Sequence, residues 1–198
     1  SLKKKGVYDN TIIIFTSDNG GLQPKETLAS GHRPSDIYRG SKNQPYEGGH
    51  RVPFIVSWPG QIKAKTVSDT PIVGLDILGT LAAVTNQKIA EGQAIDSANL
   101  LPILLGKNKA EVHPYIISQS GTSKEAIITQ DGWKLIIAFD KKDKTDKIRT
   151  PYALYNLKDN VEEKQNKNLI DDPKYKSKID ALFTSYNQIR ESGKETKI

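Results

Sequence analysis

A short, wholly apolar run that ends abruptly in a polar, glycine-rich turn constrains the fold of this chain most strongly. Ile12 to Phe15 are four apolar residues in succession, and Ser17-Asp-Asn-Gly-Gly21 follows almost at once. A run of this length without polar alternation predicts a strand that is buried on both faces, as in a parallel sheet. The first part of the chain is therefore predicted to be an α/β domain.

The turn after this strand offers side chains that could bind a ligand. Ligand sites of open α/β sheets lie beyond the carboxyl ends of strands, and Asp18 and Asn19 carry hard oxygen atoms at such a place. Gly20 and Gly21 would allow the backbone to approach a ligand closely. Asp, Asn and Gly are also ordinary turn residues, so the local pattern fits a plain polar turn equally well.

Further elements follow a long glycine-rich loop over residues 17–52. A second strand is predicted over 53–58. An amphipathic helix is predicted over 71–84, with Leu75, Leu78, Leu81 and Ala82 on its apolar side. A short apolar turn over 100–105 closes at Gly106.

The pattern changes to antiparallel β-structure after residue 107. Four short strands are predicted, and Asp131-Gly132 forms the tip of a hairpin. A final helix is predicted to begin at Asp172-Pro173 and to stop at Gly193. We therefore expect two domains, an α/β domain over residues 1–106 and a small α+β subdomain over residues 107–198. The four predicted strands cover 115–119, 126–130, 134–139 and 152–156.

A second motif, later in the same loop, gives the first motif a more specific interpretation. Arg39-Gly-Ser-Lys42 is followed by Tyr46-Glu-Gly-Gly49-His-Arg-Val-Pro53, an apolar strand and Trp58-Pro-Gly60. In this order and spacing, after Ser-Asp-Asn-Gly-Gly, the chain resembles the type I sulfatases of the alkaline phosphatase superfamily. The resemblance implies an alkaline-phosphatase-like parallel or mixed sheet, and weaker echoes extend it over most of the chain.

The resemblance also implies roles for individual residues. Asp18 and Asn19 match two metal ligands of the family, and Ca²⁺ or Mg²⁺ suits their oxygen atoms. Lys42 matches the lysine that contacts the sulfate group, although a solvated loop lysine is the commoner fate of this residue type. Glu47 and Arg51 are expected to pair and hold the loop.

His32 lies in a part of the loop that the motif does not determine. It could contact the substrate or protonate a leaving group, because histidine titrates near neutral pH. An exposed loop histidine without a catalytic role is the better supported interpretation of this residue.

The catalytic nucleophile of the family has no counterpart in these 198 residues. Sulfatases convert a Cys or Ser in Cys/Ser-x-Pro-x-Arg into formylglycine, and the chain has no cysteine and no such motif. The resemblance is to the C-terminal portion of a sulfatase. We expect the formylglycine on an upstream N-terminal part, and no activity from these 198 residues alone.

The sequence is compatible with three classes of function. The leading hypothesis is a hydrolase of sulfated small molecules or glycans, periplasmic or secreted by analogy with the family. One alternative is a phospho- or phosphonate-ester hydrolase of the same superfamily. Another is a non-catalytic module that binds a partner or self-associates. The net charge of +6 is not arranged as a basic stripe with aromatic residues, so nucleic-acid binding is not expected, and no apolar stretch is long enough for a membrane span.

Overall fold

The computed structural model describes residues 1–107, 112–140 and 148–193. The chain divides into two compact units, Ser1–Ser17 with Pro53–His113 and Asp18–Val52 with Pro114–Ile198. None of the described helices is long and apolar enough to cross a membrane. In chain order the elements are β1 (Ile13–Phe15), α1 (Lys25–Ala29), α2 (Glu47–His50), β2 (Ile55–Ser57), α3 (Asp76–Val84), α4 (Leu101–Leu104), β3 (Tyr115–Gln119), β4 (Lys124–Thr129), β5 (Trp133–Phe139), β6 (Arg149–Asn156) and α5 (Lys176–Ser192).

The first unit contains the strand pair that was predicted from the two apolar runs. β1 and β2 pair with each other in antiparallel fashion, with Ile14 opposite Val56. These two side chains line a narrow apolar cleft together with residues of α3. On the opposite face Phe15 is 62% exposed and Ile55 is 60% exposed. The described residues therefore cover one face of this pair and give β1 an antiparallel neighbour, and the burial of the strand on both faces in a parallel sheet stays a prediction for the intact protein.

Helix α3 differs from its prediction in the side that it buries. Leu75 and Leu78 are 59% and 57% exposed, whereas Asp76, Gly79 and Thr80 are buried. Polar side chains explain the difference, because they bind the neighbouring backbone. Asp76 accepts hydrogen bonds from the N–H groups of Val73 and Ala98 at 2.9 and 2.8 Å, and the Thr80 hydroxyl accepts one from Leu100 at 2.9 Å.

The second unit contains a four-stranded antiparallel sheet in the order β3-β4-β5-β6. All four predicted strands are present, and Gly132 closes the predicted hairpin with φ +89°. Helix α5 packs on one face of the sheet, where burial of each large aliphatic side chain contributes about 1.5–3 kcal/mol. The shared core consists of Ile127, Leu135, Ile137, Leu154, Ile179, Leu182, Tyr186 and Ile189.

Both predicted ends of the last helix are confirmed. Asp172 accepts a hydrogen bond from the N–H of Lys174 at 3.0 Å, and Pro173 opens a single 3-10 turn that leads into α5. Gly193 ends α5 with φ +64°, the left-handed conformation that glycine adopts without strain. The predicted α+β subdomain therefore agrees with the described sheet and helix.

The other face of this sheet is covered by part of the long loop. Tyr46 packs against a second apolar cluster formed by Ala126, Ile136, Ala153, Tyr155 and Leu157. The segment 18–52 is accordingly part of the second compact unit. The sequence assigned this segment to a domain over residues 1–106, and the domain boundaries of the intact protein stay a prediction.

Candidate functional site

Glycines pack two stretches of the long loop against each other. The Gly20 N–H donates to the Gly49 carbonyl at 2.9 Å, and Gly20 is buried. A Cβ atom on Gly20 would lie 1.9 Å from the Gly48 carbonyl oxygen, so a larger residue would collide with this backbone. The two Gly-Gly pairs of the sequence motifs therefore meet in the structure.

This packing brings three of the predicted site residues into one part of the fold. The Lys42 N–H donates to the Gly21 carbonyl at 3.1 Å, which joins the lysine segment to the turn that carries Asp18 and Asn19. The Asp18 side chain is exposed, and Asn19 and Lys42 are half-buried. Their roles as metal ligands and sulfate contact stay predictions. We refer to Asp18, Asn19 and Lys42 with their glycine-packed backbone as the loop site.

His32 occupies a different place within the long loop. It lies in the exposed turn that follows α1, next to Gly31 with φ +85°. Its predicted contact with the substrate stays a prediction, as does the alternative of an exposed histidine without a role.

The loop site offers a partial set of ligands for a divalent cation. The Asn19 Nδ2 donates to the Gly20 carbonyl at 3.2 Å, and the amide oxygen Oδ1 is the atom type that a cation binds. Carboxylate and amide oxygens are the donors that Ca²⁺ and Mg²⁺ prefer, and Ca²⁺ usually takes about 6–8 of them. In the described part of the chain, no group of three or more His, Asp and Glu side chains is arranged to hold a metal ion. These residues fit part of a coordination shell.

A buried cluster of charged residues lies beneath the loop and was not predicted from the sequence. The Lys134 ammonium is fully buried and lies 2.9 Å from Glu47 Oε1 and 2.9 Å from Glu163 Oε1. Glu163 Oε2 accepts a hydrogen bond from the Glu47 N–H at 2.6 Å. Arg51 Nε donates to Glu47 Oε2 at 2.7 Å, which confirms the predicted Glu47–Arg51 pair. We call these four residues and His50 the Lys134 cluster.

The cluster shifts the pKa values of its members in opposite directions. Burial alone would raise the pKa of Glu47, yet hydrogen bonding to His50 and the charge of Lys134 hold that pKa well below its ordinary value. Burial raises the pKa of Glu163 even though Lys134 opposes the shift. Burial lowers the pKa of His50, and Lys134 adds to this effect against the opposing influence of Glu47. Glu47 is therefore ionised and His50 neutral at pH 7.

Arg39 connects the loop to the same region of the sheet. One guanidinium nitrogen donates to the Glu163 carbonyl at 3.0 Å and to the Tyr155 hydroxyl at 3.2 Å. The guanidinium also stacks over the Tyr46 ring, 3.8 Å from its centroid. Such a stacked, multiply bonded arginine is a positional contact, because one of its nitrogens binds several partners while the guanidinium plane lies on the Tyr46 ring.

Of the two unpredicted residues Lys134 and Glu163, only Lys134 could have been recognised from the sequence. Lys134 interrupts the apolar strand over 133–139, and a lysine within such a run is rarely buried unless it is paired. Glu163 lies in a polar connection of ordinary composition, so nothing in the sequence distinguishes it from its neighbours.

The turn between β3 and β4 approaches the loop site from the sheet. A Cβ atom on Gly121 would lie 2.8 Å from the Asn43 Cβ, and Asn43 directly follows Lys42. Asn43 itself adopts φ +71°, a conformation that asparagine tolerates better than most residues. The second unit thus supports the lysine segment from this turn as well as from the Lys134 cluster.

Comparison with known proteins supports the interpretation of the motifs. The Sulfatase family model matches residues 1–87. An N-acetylgalactosamine-6-O-sulfatase of Bacteroides thetaiotaomicron is 38% identical over 172 residues, which are 80% of this chain and 33% of that protein. A steryl-sulfatase of Rattus norvegicus is 34% identical over 119 residues, 59% of this chain and 20% of that protein.

A solved structure shares the fold over almost the whole chain. It comes from work on glycosaminoglycan metabolism by Bacteroides thetaiotaomicron, is 33% identical, and aligns with a TM-score of 0.79 over 96% of this chain and 41% of that one. The predicted fold class, an α/β portion followed by a small α+β subdomain, is thereby confirmed. The chain spans a third or less of the length of the two curated relatives. The family model, the relatives and the solved structure agree, and the chain belongs to the sulfatase family.

Proposed function

We propose that the intact protein hydrolyses sulfate esters and that the loop site forms part of its active centre. The observation that carries this proposal is the joining of the Asp18-Asn19 turn to the Lys42 segment through the Lys42 N–H to Gly21 bond at 3.1 Å. Two motifs about twenty residues apart in the sequence thus share one backbone arrangement. The sulfatase names of the relatives give the chemistry that such an arrangement would serve.

Lys42 would bind one oxygen of the sulfate group through its ammonium. A fixed cation beside a developing negative charge lowers the barrier most when water is partly excluded, and Lys42 is half-buried. Its backbone is held from two directions, by Gly21 and by the turn at Gly121. The Lys42 side chain would therefore extend from a backbone that is fixed in position.

Asp18 and Asn19 would hold a divalent cation, Ca²⁺ or Mg²⁺, through their side-chain oxygens. The cation, together with a formylglycine on another part of the intact protein, would supply charge neutralisation and the nucleophile. The residues described here would provide half of the metal shell and one sulfate contact. We accordingly expect these 198 residues alone to lack activity.

The substrate is proposed to be a sulfated sugar. One relative is named for a sulfated N-acetylgalactosamine, and the matched structure belongs to glycosaminoglycan metabolism. A net charge of +6 gives a mild attraction for polyanions. We propose that the enzyme acts in the periplasm or outside the cell. Fractionation of the source cells would test this location.

The exposed apolar face of β1 and β2 points to the partner of this chain. Phe15 and Ile55 are opposite each other on the two strands and are both exposed, and a contiguous exposed apolar surface marks an interaction site. We propose that the remaining part of the same protein covers them. Self-association is the alternative, and light scattering of the intact protein would separate the two, since a monomer argues for internal coverage.

A kinetic comparison in the intact protein tests the proposed function. We expect turnover of a chromogenic sulfate ester to exceed that of the matched phosphate ester, and Lys42→Ala to lower kcat/KM by about a hundredfold. Asp18→Ala should increase the Ca²⁺ concentration required for half-maximal rate. Lys63→Ala, at an exposed lysine of the other unit, is the control.

Two results would contradict the proposal. Preference for the phosphate ester would favour the phospho- or phosphonate-ester hydrolase instead. An unchanged kcat/KM in Lys42→Ala would remove the loop site from the active centre.

A further inference from the structure

We propose that Lys134, Glu47 and Glu163 are positioning residues for the loop site, which they hold from the opposite side of the loop backbone. None of them touches the proposed substrate; they would act through the placement of Lys42 and of the Asp18-Asn19 turn. This inference rests on the proposed function and adds to it a set of residues on the C-terminal sheet.

Burial of these charges calls for an explanation beyond stability. Lys134 and Glu163 are fully buried and Glu47 nearly so, and a single ammonium serves both carboxylates. Buried ion pairs are often no more stabilising than apolar residues of similar size, because desolvation offsets their attraction. Such a cluster does fix geometry, because the buried Lys134 ammonium is satisfied only when Glu47 and Glu163 lie at particular positions beside it.

The backbone at Glu163 supports the same conclusion. Glu163 has φ +51°, a left-handed conformation that is unfavourable for a residue with a side chain. Held there, its carboxylate meets both Lys134 and the Glu47 N–H, and its carbonyl meets the Arg39 guanidinium at 3.0 Å. Strained, buried backbone of this kind concentrates where function requires a particular geometry.

A continuous chain of contacts leads from the cluster to the loop site. Glu47 is the first residue of α2, and Gly48 and Gly49 follow it directly. The Gly48 N–H donates to the Arg39 carbonyl at 2.7 Å, and the Gly49 carbonyl accepts from Gly20 at 2.9 Å. A displaced Glu47 would therefore move both the Asp18-Asn19 turn and the stretch that leads to Lys42.

His50 and Ser118 complete the cluster. His50 Nε2 lies 3.3 Å from both Lys134 Nζ and Glu47 Oε1, and Nδ1 lies 3.1 Å from Ser118 Oγ. The Lys134 ammonium can only donate and the Glu47 carboxylate can only accept, so Nε2 lies between a cationic donor and an anionic acceptor. The contact with Ser118 ties His50 to β3 as well, which gives the histidine a structural role in the cluster.

A double-mutant cycle in the intact enzyme tests the inference. We expect Lys134→Met to lower kcat/KM by about tenfold to a hundredfold, mainly through kcat, because small misplacements of a catalytic group have effects of this size. In a Lys42→Ala background the same substitution should lower kcat/KM by a smaller factor, because one of the two groups that it misplaces is gone. Lys176→Met, at an exposed ion pair of α5, is the matched control and should leave both values unchanged.

An equal loss in both backgrounds would overturn the inference, because a general structural defect acts regardless of Lys42. If Lys134→Met does not fold, as judged by circular dichroism, Glu163→Gln takes its place in the cycle. Glu163→Gln keeps the shape of the side chain and removes its charge.

Hydrogen exchange separates failure of this inference from failure of the proposed function. We expect the cluster variant to exchange the amides of Gly20, Lys42 and Gly48 about tenfold faster than Lys176→Met does. Unchanged exchange would overturn the inference even if the enzyme is a sulfatase. Faster exchange in a protein whose Lys42→Ala variant keeps full activity would instead place the failure in the proposed function.

Discussion

Replacement of Gly20 by alanine tests the packing that assembles the loop site. The new Cβ would lie 1.9 Å from the Gly48 carbonyl oxygen and 2.9 Å from the Gly49 carbonyl carbon. Real contacts of this kind are longer than 3 Å, and both neighbours are backbone atoms that no side-chain rotation can move aside. The two glycine segments would have to separate.

The expected loss of stability follows from two terms. Overpacking of a close-packed region costs about 1–3 kcal/mol. Separation also breaks the buried Gly20 N–H to Gly49 bond, and an unsatisfied buried donor costs about 1–3 kcal/mol more. We therefore expect the free energy of unfolding to fall by about 2–6 kcal/mol, which is the sum of these ranges.

Urea denaturation of the intact protein measures this change. Gly74→Ala is the matched control, because its Cβ would meet no atom within 4 Å and Gly74 does not have a positive φ. That substitution should be neutral or stabilise by up to about 1 kcal/mol. A Gly20→Ala variant as stable as Gly74→Ala would refute the close packing of the two glycine segments, and with it the argument that joins the two motifs.

Two further substitutions test other parts of the same unit. Burial keeps the pKa of His50 below its ordinary value. As the pH falls, the imidazole therefore binds a proton in the unfolded chain before it does so in the folded protein. The contribution of His50 to the free energy of unfolding is complete above about pH 6.5 and is lost below it. Urea denaturation at pH 7.5 and pH 5 should therefore show a smaller loss for His50→Gln than for the wild type, and equal losses would contradict this. Gly121→Ala should press on Asn43 and lower kcat/KM by about tenfold with a melting temperature near that of Gly74→Ala. An unchanged kcat/KM would show that this turn does not support the lysine segment.

The C-terminal subdomain could be predicted closely from local patterns. Strand β3 occupies the predicted residues 115–119, and α5 ends at the predicted Gly193. Alternation of apolar residues and helix-capping residues are short-range signals, and the subdomain buries these residues against its own elements. Prediction succeeded where the partners of each element lie within the same small unit.

The misses in the first unit have the opposite origin. Leu78 was assigned to the buried side of its helix because it is apolar, and it is exposed among the described residues. Asp76 was not assigned to the core, yet it is fully buried, where it accepts two backbone hydrogen bonds and lies 2.9 Å from His113. Hydrophobicity alone could not anticipate a polar side chain whose burial depends on partners 22 and 37 residues away.

The sequence by itself determined the family, because both motifs are contiguous and correctly spaced, and it predicted Asp18, Asn19 and Lys42 as site residues, whose roles stay predictions. It also predicted the Glu47–Arg51 pair as a contact that holds the loop, and Arg51 Nε donates to Glu47 Oε2 at 2.7 Å. Only the tertiary structure decided that this loop rests on the C-terminal sheet and that Lys134 and Glu163 hold it there. Those contacts join residues 87 and 116 positions apart, and a charge is retained in a buried place only if folding brings its partner to it.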